Sequence, residues 1–446
     1  MKQIKTFLNT DFYQLSMSYI YIMENLANTI VGFEGFIRHP KKEIINNMGY
    51  YIFEGNEEVK RIISEIQEDL KNENLVDEFI NTIKHKINLQ ENEEIFRKNF
   101  KKLNKDFEYE VIDNGTKVFP YIPVFQYRGP VWIGQIIETI VTNAYNGKTG
   151  IASVKEAIRK EELYYSSIDI EYIEHIIENV GGKYYERYIE DLNERAKEFK
   201  EVSDDIMIFE AGFRRAPNFN IAKQASLIAI KNRWNATSNT AIKEEIDINK
   251  IGGSMAHAFV MFFETEKEAF KVWNKYFPNS TILVDTYDTL SAIDILIKEN
   301  IKPADVRIDS GDFFKITKQV REKLDKNGWQ DVGIFLSGDM TPELIMKLKS
   351  KGVPFNKIMA GTKYIYNNNI IKLANAGFVY KIVEIHKENK ILYPEKKAIG
   401  KKSFSGLKKI EMKQKNKVKI TKLQKSEKLN LKEIKYIKEN PNIQFS

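Results

Sequence analysis

The sequence predicts an α/β protein, with an α+β N-terminal portion ahead of a parallel α/β portion, and three observations carry that reading. Of the 446 residues 42% are hydrophobic and 12% aromatic, enough to bury a sizeable core. Beyond Ile206, short apolar runs end in small or acidic residues and lead into helical patterns: IMIFEAGFRR, TILVDTYDTL, VRIDSGDFF, VGIFLSGDM and NKIMAGTKY. Their markers Asp285, Asp309, Asp339 and Gly361 stand 24, 30 and 22 residues apart, the length of a strand and its returning helix.

Taken in order, residues from Thr10 to Glu24 place apolar and aromatic side chains at helical spacing, with Thr10 or Asp11 as N-cap. IVGFEGFIRHP alternates as a strand stopped by Pro40. Residues 56–108 are strongly charged and read as amphipathic helices. VIDNGTKVFPYIPVFQYRGP has a turn signal at Asn114-Gly115 and prolines at strand margins, which predicts short antiparallel strands. Gly129-Pro130 opens the helical stretch WIGQIIETIVTNAY, and residues near 155–203 are again charged and helical. No low-complexity linker or identical repeat interrupts the chain, so its lobes are expected to pack together. The expected division is 1–135, then 136–385, then a lysine-rich segment 386–446 that packs on the N-terminal portion.

Composition excludes several classes. With Cys at 0, disulfide scaffolds, cysteine zinc sites and thiol nucleophiles are absent. The N-terminus lacks the pattern of a cleaved leader, and no stretch reaches the roughly 18 apolar residues of a membrane span, so a cytoplasmic protein is expected. The net charge of +7 invites a nucleic-acid reading, but residues 401–438 hold 14 lysines against Glu411, Glu427 and Glu433, which leaves −4 for the rest. A solvated tail, and no nucleic-acid partner, is the expectation.

In α/β folds the carboxyl ends of the strands form the functional rim, and the polar clusters fall there. VRIDSGDFF places Arg307, Asp309, Ser310, Gly311 and Asp312 at a strand end. Carboxylates beside an arginine and a glycine turn can bind sugar hydroxyls, hold Mg²⁺ or stabilise a cationic centre. The competing reading is a helix cap by Ser310 or Asp312, with Arg307 paired to Asp309. LSGDM repeats the theme with Ser337, Gly338 and Asp339, and IMAGTKY offers Gly361, Thr362 and Lys363. A glycine followed by a hydroxyl at such a turn can present backbone N–H groups to phosphate. GGSMAHAFVMFF supplies Ser254 and His257, and FRRAP supplies Arg214 and Arg215, suited to a carboxylate or phosphate. Together the clusters suggest a phosphorylated sugar held along one rim.

In this order TDFYQLSMSY, FRRAP, TSN, GGSMAHAF, LVDTYDTL, VRIDSGD, LSGDM, AGTKY and VYKIVEI resemble nicotinate phosphoribosyltransferases, from about Thr10 to Ile385. The resemblance implies an irregular α/β barrel with an N-terminal α+β domain. It also implies transfer of ribosyl 5-phosphate from phosphoribosyl pyrophosphate to nicotinate, giving nicotinate mononucleotide and pyrophosphate in NAD salvage. By the same resemblance Tyr13 would stack on the pyridine ring from a neighbouring subunit of a homodimer with shared sites, and Arg38 would reach a phosphate. Arg214 and Arg215 would face the base and phosphates. Asp285, Arg307 and Asp309 would hold ribose and the pyrophosphate–Mg²⁺ group. Ser254, Ser310, Gly311, Ser337, Gly338, Asp339, Gly361 and Thr362 would line the ribose and 5-phosphate. His257 matches the histidine that is phosphorylated when ATP drives the reaction.

Three positions depart from the family pattern. Ala211-Gly212 stands where Phe-Gly is usual, Ala258 where a hydroxyl is usual, and Pro217-Asn218-Phe219 where a Gln-Gly pair is common. A pyridine-facing ring and a donor to the carboxylate are thereby removed, and Phe213 is the expected replacement ring. Two further functions follow as alternatives: the same transfer to nicotinamide or another heterocycle, and a non-catalytic regulator that binds a phosphoribosyl ligand.

Overall fold

The computed structural model describes residues 6–37, 48–87, 92–160, 167–178, 181–388, 390–395, 404–413, 417–438 and 441–445. Its parallel portion is a curled, six-stranded half-barrel. The strands follow the order Ala236–Thr237, Met207–Glu210, Lys357–Ala360, Gly333–Leu336, Asp305–Ile308, Thr281–Leu283, every neighbouring pair parallel. Asp305–Ile308 and Gly333–Leu336 are buried at every residue, and Gly333–Leu336 reads accordingly as an uninterrupted run without polar side chains. Returning helices are started by side-chain caps: Asp288 for Thr289–Lys298, Asp312 for Phe313–Lys326 and Thr341 for Pro342–Ser350.

The N-terminal helix Phe12–Met23 is buried at all 12 positions. A helix apolar nearly all round has no solvent face to offer, and here its few polar side chains are tied down inside, Ser18 Oγ donating to the Trp132 carbonyl at 3.2 Å. Asp11 precedes this helix, but its carboxylate makes no capping bond; it is spent on tertiary partners described below. The charged segment around 155–203 forms Ser167–Ile177 and Lys183–Ser203 beyond the helix Glu138–Arg159. Lys183–Ser203 buries one stripe, Tyr184, Tyr188, Leu192, Ala196 and Phe199, spaced by three or four residues, against the half-barrel.

A five-stranded antiparallel sheet forms the other layer, in the order Lys390–Leu392, Val379–Lys387, Ile30–Phe36, Pro123–Pro130, Glu108–Val111. Residues 379–385, which the sequence groups with the barrel, pair here with Ile30–Phe36, because both faces of that strand meet apolar neighbours. In the tail, Lys408–Lys413 pairs antiparallel with Lys417–Lys422, and Asn442–Phe445 adds in parallel. Val418 and Ile420 face inward while Lys417 and Lys419 face water. Lys408 is the exception among these lysines. It is 4% exposed and pairs with the fully buried Glu34, which also accepts from Gln126 Nε2 and the Lys408 N–H, each at 2.9 Å. Burial pushes the Glu34 carboxyl up from its ordinary range, and Lys408 opposes the shift.

Candidate active site

The carboxyl ends of the parallel strands open into a cleft of about 220 Å³, closed on its far side by Phe33 and Tyr380 of the antiparallel sheet. These two rings stack on each other with centroids 4.8 Å apart.

One end of the cleft is cationic. Met207–Glu210 runs into the turn Phe213–Arg215, which points two guanidinium groups inward. Glu210 supports this turn from behind: it is fully buried, accepts from Ser226 at 2.7 Å and Thr237 at 2.6 Å, and receives the Gly212 N–H. Arg214 Nη1 donates to the Tyr13 hydroxyl at 3.1 Å and lies 3.5 Å from Asp11 Oδ2, with its guanidinium over the Tyr13 ring at 5.7 Å. Asp11 is itself held by Thr139 at 2.8 Å and by Ser238. Burial works against the Arg214 charge, but Tyr13, Asp11, Glu138 and Asp309 outweigh it and hold the group above its ordinary value. Burial and the neighbouring Arg214 lower Arg215 to about 10, and its side chain donates to the Phe378 carbonyl. Burial also raises the Tyr13 phenol, against the pull of Arg214, so it stays neutral while accepting from that arginine.

The other end is built on Asp305–Ile308 and its loop. Arg307 lies buried with Nη1 donating to Ser254 Oγ at 3.0 Å and Nη2 to the Met255 carbonyl at 2.9 Å. Its buried Nε has no hydrogen-bond partner among the described residues. Asp309 accepts from Ser337 Oγ at 2.8 Å and faces His257 Nε2 at 3.7 Å, while His257 Nδ1 lies 3.1 Å from Thr286 Oγ1. Asp285 accepts from Ser310. No ion pair joins Arg307 to Asp309 among the described residues; the paired-cap reading of this motif holds only for Asp312, which caps its helix through a 3.0 Å bond from Phe314 N–H.

His257, Asp285 and Asp309 each offer a ligand atom, all within 4.8 Å of one another. Mg²⁺ takes oxygen ligands, so the two carboxylates fit it and the imidazole stays available for another task.

The structure therefore gathers Tyr13, Arg214, Arg215, Ser254, His257, Arg307 and Asp309 on one cleft, with Asp285, Ser310 and Ser337 bonded to that set or beside it. Gly311, Gly338, Asp339, Gly361 and Thr362 occupy the neighbouring strand-end loops without lining the cleft. Gly338 is in a left-handed conformation, φ 93°, with the Asp309 carbonyl 2.5 Å from where a Cβ would stand, so it shapes the Asp309 turn. Gly361 has a packing reason too: a Cβ there would meet the Ala211 carbonyl oxygen at 2.6 Å. Tyr13, assigned by resemblance to a neighbouring subunit's site, lines the cleft of its own chain. Phe213 does not replace the missing ring: it is fully buried and packs edge-on to Phe219 at 5.5 Å, because the turn faces its arginines, and not its phenylalanine, to the cleft. Arg38 lies outside the described residues. Sequence reasoning missed Asp11, which reads as a cap, and Glu138 and Phe33, which carry no motif signal; Thr286 of LVDTYDTL and Tyr380 and Lys381 of VYKIVEI sit in quoted motifs without an assigned role.

Residues 8–146 match the family model described as the nicotinate phosphoribosyltransferase (NAPRTase) N-terminal domain. The nicotinate phosphoribosyltransferase of Bacillus subtilis is 27% identical over 392 residues, covering 86% of this chain and 68% of that protein. A Mycobacterium tuberculosis enzyme of the same name is 26% identical over 306 residues, 66% of this chain and 56% of the relative. The crystal structure of nicotinate phosphoribosyltransferase from Porphyromonas gingivalis has the same fold, with a TM-score of 0.62, 14% identity, and coverage of 90% of this chain and 97% of that one. With the strand-end motifs in matching order around one cleft, the chain is similar to nicotinate phosphoribosyltransferases in sequence and shares their fold.

Proposed function

We propose that the protein transfers ribosyl 5-phosphate from phosphoribosyl pyrophosphate to nicotinate, yielding nicotinate mononucleotide and pyrophosphate in NAD salvage. The observation that carries this is one cleft with an arginine pair at one end and the Asp285, Asp309 and Arg307 cluster at the other. In the reaction the bond from the anomeric carbon to pyrophosphate breaks, its electron pair leaving with the oxygen, and the pyridine nitrogen supplies the pair for the new C–N bond. Positive charge builds on the ribose, and Asp309, fixed by Ser337, is placed to stabilise it. Arg307, clamped by Ser254 and Met255, lines the cleft and sets its charge beside the departing anion. Mg²⁺, held by Asp285 and Asp309, would neutralise the pyrophosphate. Arg214 and Arg215 orient the carboxylate of the base, and Tyr13 supplies the aromatic face. His257, steadied at Nδ1 by Thr286, is the proposed phosphate acceptor when ATP is coupled.

Nicotinamide or another heterocycle is a second reading with its own observation: Ala211 and Ala258 line the cleft and offer neither ring nor hydroxyl. The test is pyrophosphate release across a panel of bases. The arginine pair predicts a higher kcat/KM for nicotinate than for nicotinamide, since a hydrogen bond to a charged group contributes about 1.5–3 kcal/mol. Equal values, or a preference for nicotinamide, would overturn the base assignment, and the absence of pyrophosphate release with every base tried would favour a phosphoribosyl-binding regulator.

A further inference from the structure

We propose that Glu138 is a specificity-determining residue of the cleft, one that restrains the preference for an anionic base over its neutral amide. The inference rests on the nicotinate reading above. Glu138 opens the 22-residue helix Glu138–Arg159, and its side chain lines the same cleft as Tyr13, Arg214 and Arg215. Its orientation is fixed. Oε2 accepts from Gln14 Nε2 at 2.8 Å, and Gln14 is gripped in turn by Gln135. No described residue donates to Oε1.

Two consequences follow for a base bound beside the arginines. A carboxylate on the ring is repelled by Glu138 and meets guanidinium groups whose charge is already partly compensated, Arg214 by Asp11 at 3.5 Å and both arginines by Glu138. A carboxamide, being neutral, escapes the repulsion and has N–H groups that Oε1 can accept. Ser238 and Ser254 at this end are neutral hydroxyls already bonded to Asp11 and Arg307, weaker acceptors than the anionic Oε1. Ala258 adds none. Glu138 is thus the strongest acceptor that a neutral amide would find on a wall otherwise built for an anion.

Glu138→Gln keeps the length of the side chain and an oxygen for Gln14 while removing the charge. Dissociation constants for nicotinate and nicotinamide are measured by titration calorimetry on the full chain, with pyrophosphate release followed in parallel. The ratio of the nicotinamide to the nicotinate constant is expected to rise about fivefold in Glu138→Gln, as one unit charge near the base is withdrawn. Glu138→Asp, which keeps the charge, is expected to stay within about twofold of the parent ratio. A ratio that is unchanged or falls in Glu138→Gln overturns the proposal, as does an equal rise in both variants, which would trace the effect to shape. A parent that releases no pyrophosphate overturns the catalytic reading while its binding ratio still judges Glu138; a parent that binds neither base overturns both.

Discussion

Gly253→Ala adds one methyl group where the Ser254 loop passes the start of the N-terminal helix. Gly253 is not in a left-handed conformation, so alanine is allowed there by its backbone, and the obstacle is space alone. The new Cβ would stand 2.9 Å from the Tyr13 nitrogen and 3.1 Å from the Tyr13 Cβ. Ordinary contact begins near 3.4 Å, so Tyr13 has to retreat by about half an ångström. The helix it opens is buried at every residue and cannot swing away to absorb this. The 3.1 Å bond from Arg214 to the Tyr13 hydroxyl would stretch to about 3.6 Å, beyond hydrogen-bond range. Losing it costs roughly 0.5–1.5 kcal/mol and the overpacking roughly 1–3 kcal/mol. The expected result is a KM for nicotinate raised about tenfold, with a lowered thermal midpoint. The KM for phosphoribosyl pyrophosphate should stay within about twofold, because Arg307 and Asp285 lie at the other end of the cleft. Pyrophosphate release measured against each substrate in turn decides the matter. An unchanged nicotinate KM in a folded variant, or an equal rise for both substrates, would refute the placement of Tyr13 on the base.

Asp309→Asn keeps an oxygen for Ser337 but removes the charge, so kcat should fall at least about a hundredfold while the thermal midpoint barely moves; turnover near the parent's in a folded variant would remove Asp309 from the reaction. Glu266 is 8% exposed, its Oε1 lacks a hydrogen-bond partner among the described residues, and burial together with Asp288 and Asp285 pushes its carboxyl from 4.5 up to about 7. A carboxyl raised in the folded state binds its proton more tightly there, so its contribution is complete below pH 4.5 and is lost as pH rises to about 7. Thermal melts without added divalent cation should therefore show the parent losing more stability than Glu266→Gln across that window, and parallel curves would contradict it.

What local pattern could and could not announce is clearest at Asp11 and Asp309. Asp309 follows a fully buried strand and begins a glycine turn, so its place on the rim follows from a few adjacent residues. Asp11 also sits at an element boundary, and a local reading makes it a cap. Its carboxylate instead meets Thr139, Arg214 and Ser238, which lie 128, 203 and 227 residues away, partners that no local period encodes. Glu138 was hidden for a related reason: in IETIV it looks like the polar position of an amphipathic helix, and only the strands opposite turn that position into a cleft wall. Phe213 shows the converse, a residue correctly placed in its turn whose facing depends on Phe219 and the core. Lys408 looks like every other lysine of the tail until Glu34 is set against it.

That last pair also imposes a timetable on synthesis. Glu34 precedes Lys408 by 374 residues, so at about 5–20 residues per second the nascent carboxylate waits roughly 20–75 seconds for its cation. The Ile30–Phe36 strand waits almost as long for Val379–Lys387, with one edge open to other chains on the ribosome. The strands of the half-barrel are all translated before that partner arrives, so the antiparallel layer is a late seal drawn over a finished catalytic floor. Translation that stops short of Val379 releases a chain whose reactive cleft is nearly complete but whose exposed edge favours aggregation over activity.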